Sequence, residues 1–195
     1  MADSSQTLPR VKQEPLIIRI DRHIYRFARH WLLAFNLVAF FLASMPIIIP
    51  FIASQGYESA AAWLFTTFGL ICHQMPERSF TLFGEQMALC HRMSTIYVAS
   101  FIGGITYACV RDRLPPLSFR MLILFSTPMA IDGFTQLFGL RESVWELRML
   151  TGSIFAIGAM WFALPRLEHG FREIRTVVET RFKRLVREGR SNPLS

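Results

Sequence analysis

The side chains best suited to chemistry gather between residues 72 and 92, where Cys72-His73-Gln74-Met75-Pro76-Glu77-Arg78-Ser79-Phe80 is followed by Cys90-His91-Arg92. Cys72, His73, Cys90 and His91 offer four thiol or imidazole groups, the number that a tetrahedral metal site uses. Adjacent residues on one backbone seldom converge on one ion, so this set is a weak metal candidate. A disulfide between Cys72 and Cys90 is an alternative in an oxidising compartment, and a pair of inert buried thiols is another. Cys109 reads as a small packing residue. No Cys-x-x-Cys-His run occurs, so covalent haem attachment has no support. Axial ligation of a haem or chlorin leaves His30, His73 and His91 as candidates, each read first as an interfacial histidine; His23 and His169 carry less weight.

A second group surrounds Asp132. This residue falls inside an apolar stretch, where a carboxylate facing lipid costs about 2.5 to 3.5 kcal/mol on insertion scales. Arg148 opens the next apolar stretch and Arg141 lies in the connection, so a structural Asp132–Arg148 ion pair is expected, with Gln136 one helical turn beyond Asp132 able to join. If the chain is an enzyme, His73, Arg78, Ser79, His91, Arg92, Asp132, Arg141 and Arg148 would line an outward-facing polar pocket, with His73, Asp132, Arg141 and Arg148 the candidate catalytic residues and arginines to bind phosphate or carboxylate. There is no GxSxG elbow, HExxH, Walker loop or paired acidic motif.

The elements that must position these groups are membrane helices. Of 195 residues, 52% are hydrophobic and only 18% charged, with a mean hydropathy of +0.32; soluble domains carry about 25% charge. The composition excludes a disordered regulator and a disulfide-dense secreted mini-protein. Spans are expected at about 31–54, 93–110, 117–138 and 149–164, with Pro46 and Pro50 kinking or ending the first and Trp161 placed as an interfacial anchor. Residues 60–72 rise only about 20 Å as a helix, too little for a hydrocarbon core of about 30 Å. They read as a short span or as a half-inserted or interfacial helix.

Charge sets the orientation. Arg10, Lys12, Arg19, Arg22, Arg26 and Arg29 precede the first span, and Arg166, Arg172, Arg175, Arg181, Lys183, Arg184, Arg187 and Arg190 follow the last. Lys and Arg accumulate on the cytoplasmic side, so both ends belong there. Four spans satisfy this and also place Arg111, Arg113 and Arg120 inside. The expected architecture is all-α: a polytopic bundle at 31–165 between a basic N-terminal tail, 1–30, and a basic amphipathic C-terminal tail, 166–195. No cleavable signal peptide, internal repeat or second folded domain is read. The net charge of +7 is thus a topology signal rather than a nucleic-acid footprint.

In the C-terminal tail Phe171, Ile174, Val178, Phe182 and Leu185 form an apolar helical face among cations, and Ile20, Ile24, Phe27 and Trp31 do the same near the N-terminus. Both suit anionic lipid at the cytoplasmic surface, or a partner subunit. Small-xxx-small spacings, Ser100 with Gly104, Ala99 with Gly103 and Gly152 with Ala156, allow close helix contact within the bundle or with a neighbour. Pro128 should kink its helix.

The order Cys-His-Gln-x-Pro-x-Arg-Ser-Phe at 72–80, then Cys90-His91-Arg92 and Ser94-Thr95-Ile96-Tyr97, resembles the uncharacterised prokaryotic membrane family catalogued as domain of unknown function 2085. The likeness continues through Asp132-Gly133, Gln136, Gly139-Leu140-Arg141-Glu142-Ser143, Arg148 and Thr151-Gly152, and covers about residues 63–160. The chain departs from it at Cys90-His91-Arg92-Met93-Ser94-Thr95, where the family usually reads CARCTG, so the second thiol is missing. The resemblance implies a prokaryotic cytoplasmic-membrane protein but no reaction. Without a complete catalytic motif or the internal symmetry of a transporter, the chain is expected to be a small accessory subunit of a larger membrane complex, such as a respiratory or photosynthetic electron-transfer assembly. Its partners would be other integral-membrane subunits and anionic lipid, with no cofactor and no nucleic acid. The alternative is a membrane-embedded enzyme or metal-binding protein with an outward-facing polar site acting on a lipid head group.

Overall fold

The computed structural model describes residues 15–111 and 113–192. Arg10 and Lys12 of the basic N-terminal run lie outside the described residues. Five helices dominate: α1 (Leu16–Ser54), α2 (Glu58–Phe68), α3 (His91–Val110), α4 (Phe119–Leu137) and α5 (Trp145–Arg187). A loop between α2 and α3 holds a single 3-10 turn, Pro76–Arg78, and a short hairpin of β1 (Thr81–Leu82) and β2 (Glu85–Gln86).

α1, α3 and α5 are long and apolar enough to cross a membrane. Only 22%, 17% and 33% of their most apolar windows are buried within the protein, so most of that apolar surface faces outward, as a lipid solvent requires. α4 has 19 residues and is less apolar because Arg120, Asp132 and Gln136 interrupt it. α1 continues through Pro46 and Pro50 to Ser54, so neither proline ends it. α2, with 11 residues, is shorter than the apolar stretch read at 60–72: its carbonyls are closed by Gly69, and the chain leaves the helix before Cys72.

The described residues form two compact units, one of residues 15–31 with 167–192 and one of residues 32–111 with 113–166. In the first, Ile18 packs with Val178 and Phe182, and Trp31 stacks on Phe171 with ring centroids 5.1 Å apart. The Trp31 indole N–H donates to Glu168 at 2.8 Å, and Arg175 donates to the other oxygen of that buried carboxylate at 2.7 Å. Arg181 pairs with Asp21 at 2.6 Å. Much of the apolar face of the C-terminal segment therefore covers the N-terminal helix, where the sequence suggested a lipid surface or another subunit. Ile17, Ile20, Ile24 and Phe27 stay exposed.

In the second unit small residues set the helix spacing. A Cβ on Gly104 of α3 would lie 2.2 Å from Asn36 Oδ1 of α1, and one on Gly158 of α5 would lie 2.4 Å from Phe125 Cβ of α4. Gly103 meets Met160 of α5 in the same way, at 3.2 Å. The small-residue spacings around Gly103 and Gly104 thus act inside the bundle. Trp161, read as an interfacial anchor, donates its indole N–H to Pro115 O at 3.0 Å.

These contacts separate three substitutions. Gly158→Ala and Gly104→Ala should each destabilise the detergent-solubilised protein by about 1 to 3 kcal/mol, since overpacking forces neighbours off their rotamers. Gly170→Ala should leave stability unchanged or raise it by up to about 1 kcal/mol, because an added Cβ meets nothing within 4 Å and alanine favours helix. Thermal unfolding of the three variants against the parent checks this ordering.

Candidate functional site

Asp132 is 1% exposed and sits on α4 one turn before Gln136, so carboxylate and amide share a face. Arg92, on the first turn of α3, donates to Oδ2 of Asp132. Arg141 donates to Oδ1 at 2.7 Å and to Thr135 Oγ1 at 3.2 Å. With its amide oxygen turned toward the guanidiniums, Gln136 accepts from Arg148 at 2.8 Å and from Arg78 at 3.2 Å. Four arginines from the α2–α3 loop, α3, the α4–α5 connection and α5 thus meet one carboxylate and one amide.

Local backbone explains how they reach it. Gly139, at φ +66°, closes α4: its N–H donates to Gln136 O at 3.1 Å, and that of Leu140 donates to Thr135 O at 2.9 Å. This Schellman-type end reverses the chain and returns Arg141 to Asp132. Gly152 lets α5 approach α3 at the cluster, since a Cβ there would lie 3.2 Å from Arg92 O. Phe80 packs edge-on against His91, with centroids 4.1 Å apart, and against Trp145 at 5.6 Å.

The loop is pinned at its base. Gln74, at φ +51°, donates from Nε2 to Phe65 O at 2.6 Å and to Ala88 O at 3.1 Å, while Gln86 Nε2 donates to Gln74 O at 2.6 Å. A side chain on Gly69 would collide with Thr66 O at 2.9 Å and crowd Gln74 Oε1 at 3.0 Å. The hairpin turn uses positive φ at Phe83 and Gly84, the type I′ pattern that follows strand twist. Cys72 and Cys90 are buried free thiols brought together here. The Cys90 N–H donates to Cys72 Sγ at 3.2 Å. The Cys90 thiol, as donor, and these backbone N–H groups hold the Cys72 thiol well below its ordinary pKa, and the same partnership with burial pushes Cys90 up.

The ion pair differs from the expected Asp132–Arg148: the carboxylate takes Arg92 and Arg141, and Arg148 joins through Gln136. Arg92 lies 40 residues from Asp132, so no helical periodicity announces this contact between α3 and α4. Of the candidate enzyme residues, Asp132, Arg141 and Arg148 come together, while His73 is exposed on the loop. Among the described residues no three of His, Cys, Asp and Glu are placed to share a metal ion, so Cys72, His73, Cys90 and His91 do not form the four-ligand set. His30, the other candidate for axial ligation, is exposed.

Several buried polar atoms of the cluster have no hydrogen-bond partner: Ser79 Oγ, His91 Nδ1, Arg92 Nε and Arg148 Nε. Ser79, His91 and Arg148 are each more than nine-tenths buried. Native proteins satisfy most such atoms, and guanidinium groups bind carboxylate and phosphate oxygens with charge-assisted hydrogen bonds. An anion is what this arrangement can hold.

Asp132→Asn should destabilise the protein by about 3 to 5 kcal/mol, the usual loss when one partner of a buried ion pair is removed; thermal unfolding checks it, and Arg92→Gln combined with it should add less than its own single effect. In the reduced protein, thiolate absorbance near 240 nm should include a group titrating well below the ordinary thiol range, and Cys90→Ala should move it upward.

Comparison with known proteins agrees with the sequence signature at this site. Residues 72–162 match the family described as "Predicted membrane protein (DUF2085)". An uncharacterised protein of Methanocaldococcus jannaschii is 39% identical over 138 residues, covering 66% of this chain and 88% of that protein. An uncharacterised protein of Methanothermobacter thermautotrophicus is 36% identical over 91 residues, covering 47% of this chain and 82% of that protein. No solved structure matches. The matched region holds Cys72, Cys90 and all the arginines around Asp132 and Gln136, and the chain belongs to the DUF2085 family of predicted membrane proteins.

Proposed function

We propose that this protein is a membrane-embedded binder of an acidic group, which it holds against the arginine cluster at the ends of α3, α4 and α5. The observation that carries this reading is the excess of guanidinium over carboxylate: Arg78, Arg92, Arg141 and Arg148 gather around Asp132 and Gln136. Like charges so placed repel, and the guanidinium nitrogens left without an acceptor are buried, so the occupied site is the relaxed one. The proposed topology has four crossings, α1, α3, α4 and α5, with α2 half-inserted, both termini cytoplasmic and the arginine site on the outer side of a prokaryotic cytoplasmic membrane. Acidic head groups at that surface are its natural ligands.

A second reading, an accessory subunit of a larger membrane assembly, is favoured by Ile17, Ile20, Ile24 and Phe27. Their spacing of three and four residues makes an exposed seam on α1 of the kind that meets another helix, while Arg19, Arg26 and Arg29 beside it suit anionic lipid. The two roles are compatible, since a subunit can also hold an acidic ligand.

The test is an anion-dependent shift in thermal unfolding of the purified full chain in neutral detergent. At fixed ionic strength, sulfate or phosphate in place of chloride should raise the midpoint by several degrees, by preferential binding to the folded state. Arg78→Gln should remove most of the shift. An unchanged midpoint across all anions rejects the acidic-ligand reading.

A further inference from the structure

We propose that the acidic group is a phosphomonoester head group on an apolar tail, bound as its dianion. This rests on the reading above that the site takes an acidic ligand, and it names the class.

The first argument is charge. Four guanidiniums face one carboxylate. Arg141 is partly solvated, with 44% of its side chain exposed, whereas the Arg92 side chain is 23% exposed and Arg148 is 7% exposed. A carboxylate or a phosphodiester brings a single negative charge and leaves buried guanidinium unbalanced. A phosphomonoester brings about −1.5 to −2 at neutral pH and so offsets more of that charge than either.

The second argument is the arrangement of hydrogen-bond donors. Arg92 Nε, Arg148 Nε, Ser79 Oγ and His91 Nδ1 are buried without partners, on α3, on α5 and in the loop before β1. His91 Nδ1 can carry a proton toward an oxyanion, and the Ser79 hydroxyl can donate as it rotates. A carboxylate offers two oxygens lying in one plane. A phosphomonoester offers three terminal oxygens spread tetrahedrally, which suits donors carried on three elements.

The third argument is the surroundings. Phe138, Leu140, Val144 and Trp145, beside Arg141 and Arg148 in the chain, are 71%, 74%, 59% and 48% exposed. Exposed apolar side chains next to the arginines in the chain suit a head group whose tail stays in hydrocarbon, and they give free phosphate nothing further to bind. Free phosphate shares the head-group chemistry, so the experiment separates the two sources.

The purified full chain is titrated in neutral detergent with inorganic phosphate, sulfate and acetate at fixed ionic strength. In parallel it is titrated in mixed micelles doped with phosphatidic acid or with phosphatidylglycerol. Thermal shift and native mass spectrometry are the readouts. Phosphatidic acid should bind at least tenfold more tightly than phosphatidylglycerol and than inorganic phosphate. That preference should shrink at pH 5, below the second phosphate pKa of about 6, while sulfate binding, which has no such ionisation, should not weaken. Arg78→Gln, at a half-buried loop position, should abolish the preference; Arg141→Gln, on a different connection, gives an independent check should the first variant fold poorly. Equal binding of phosphatidic acid and phosphatidylglycerol overturns the phosphomonoester assignment while leaving the acidic-ligand reading intact. Inorganic phosphate binding as tightly as phosphatidic acid overturns the lipid source. Binding of no anion overturns both readings.

Discussion

The pairing of the Asp132 carboxylate with Arg92 and Arg141 is the constraint on which the second unit depends. A carboxylate so deeply buried must be neutralised by partners with good geometry, because its desolvation is large and only close, hydrogen-bonded counter-charges offset it. Meeting that requirement fixes three things together: the depth of the first turn of α3, the sharp end of α4 at Gly139, and the start of α5. The glycine at position 152 follows from it, since α5 can pass the Arg92 backbone only where no side chain intervenes. Gln136 extends the same polar face by one turn and gathers two more guanidiniums.

Buried ion pairs are poor contributors to stability compared with well-packed apolar side chains. Asp132 with two arginines would by itself be an elaborate way to fix three helix ends. Arg78 and Arg148, beyond what the carboxylate needs, raise the electrostatic burden further. Proteins place such burdens at functional sites, where local rules are broken in favour of a ligand. The apolar packing elsewhere in this unit has no comparable excess: Ile49, Ala61, Phe68, Ala88 and Leu89 form a core of small, branched and aromatic side chains around the base of the loop.

Much of this was legible in the sequence, and the exceptions have physical causes. The apolar stretches announced the bundle, and Asp132 stood out because a carboxylate in an apolar segment needs partners. Gln136 was placed with it by one helical turn. Arg92 was grouped with it only as one member of an outward-facing polar pocket; its direct pairing with the carboxylate was not legible, because a contact between α3 and α4 leaves no periodic trace. The close approach at Gly152 could have suggested it, since a small residue beside Arg148 marks where a neighbouring helix comes near. Cys72, His73, Cys90 and His91 are not gathered as one ligand group among the described residues: His91 packs on Phe80 and His73 is exposed. The apolar stripes near the two ends were visible too, but periodicity shows that a face is apolar without naming what covers it. Here Val178 and Phe182 found Ile18 in the same chain.

The order in which the partners of Asp132 are synthesised follows from their places in the chain. Arg92 precedes the carboxylate by 40 residues and Arg141 follows it by 9. When α4 emerges from the ribosome, one counter-charge already stands on the completed α3 and the second arrives within a few helical turns' worth of chain. The carboxylate therefore need not wait for α5 before it is neutralised, and α4, whose apolar run Arg120, Asp132 and Gln136 interrupt, can be stitched into the growing bundle by a partner laid down ahead of it.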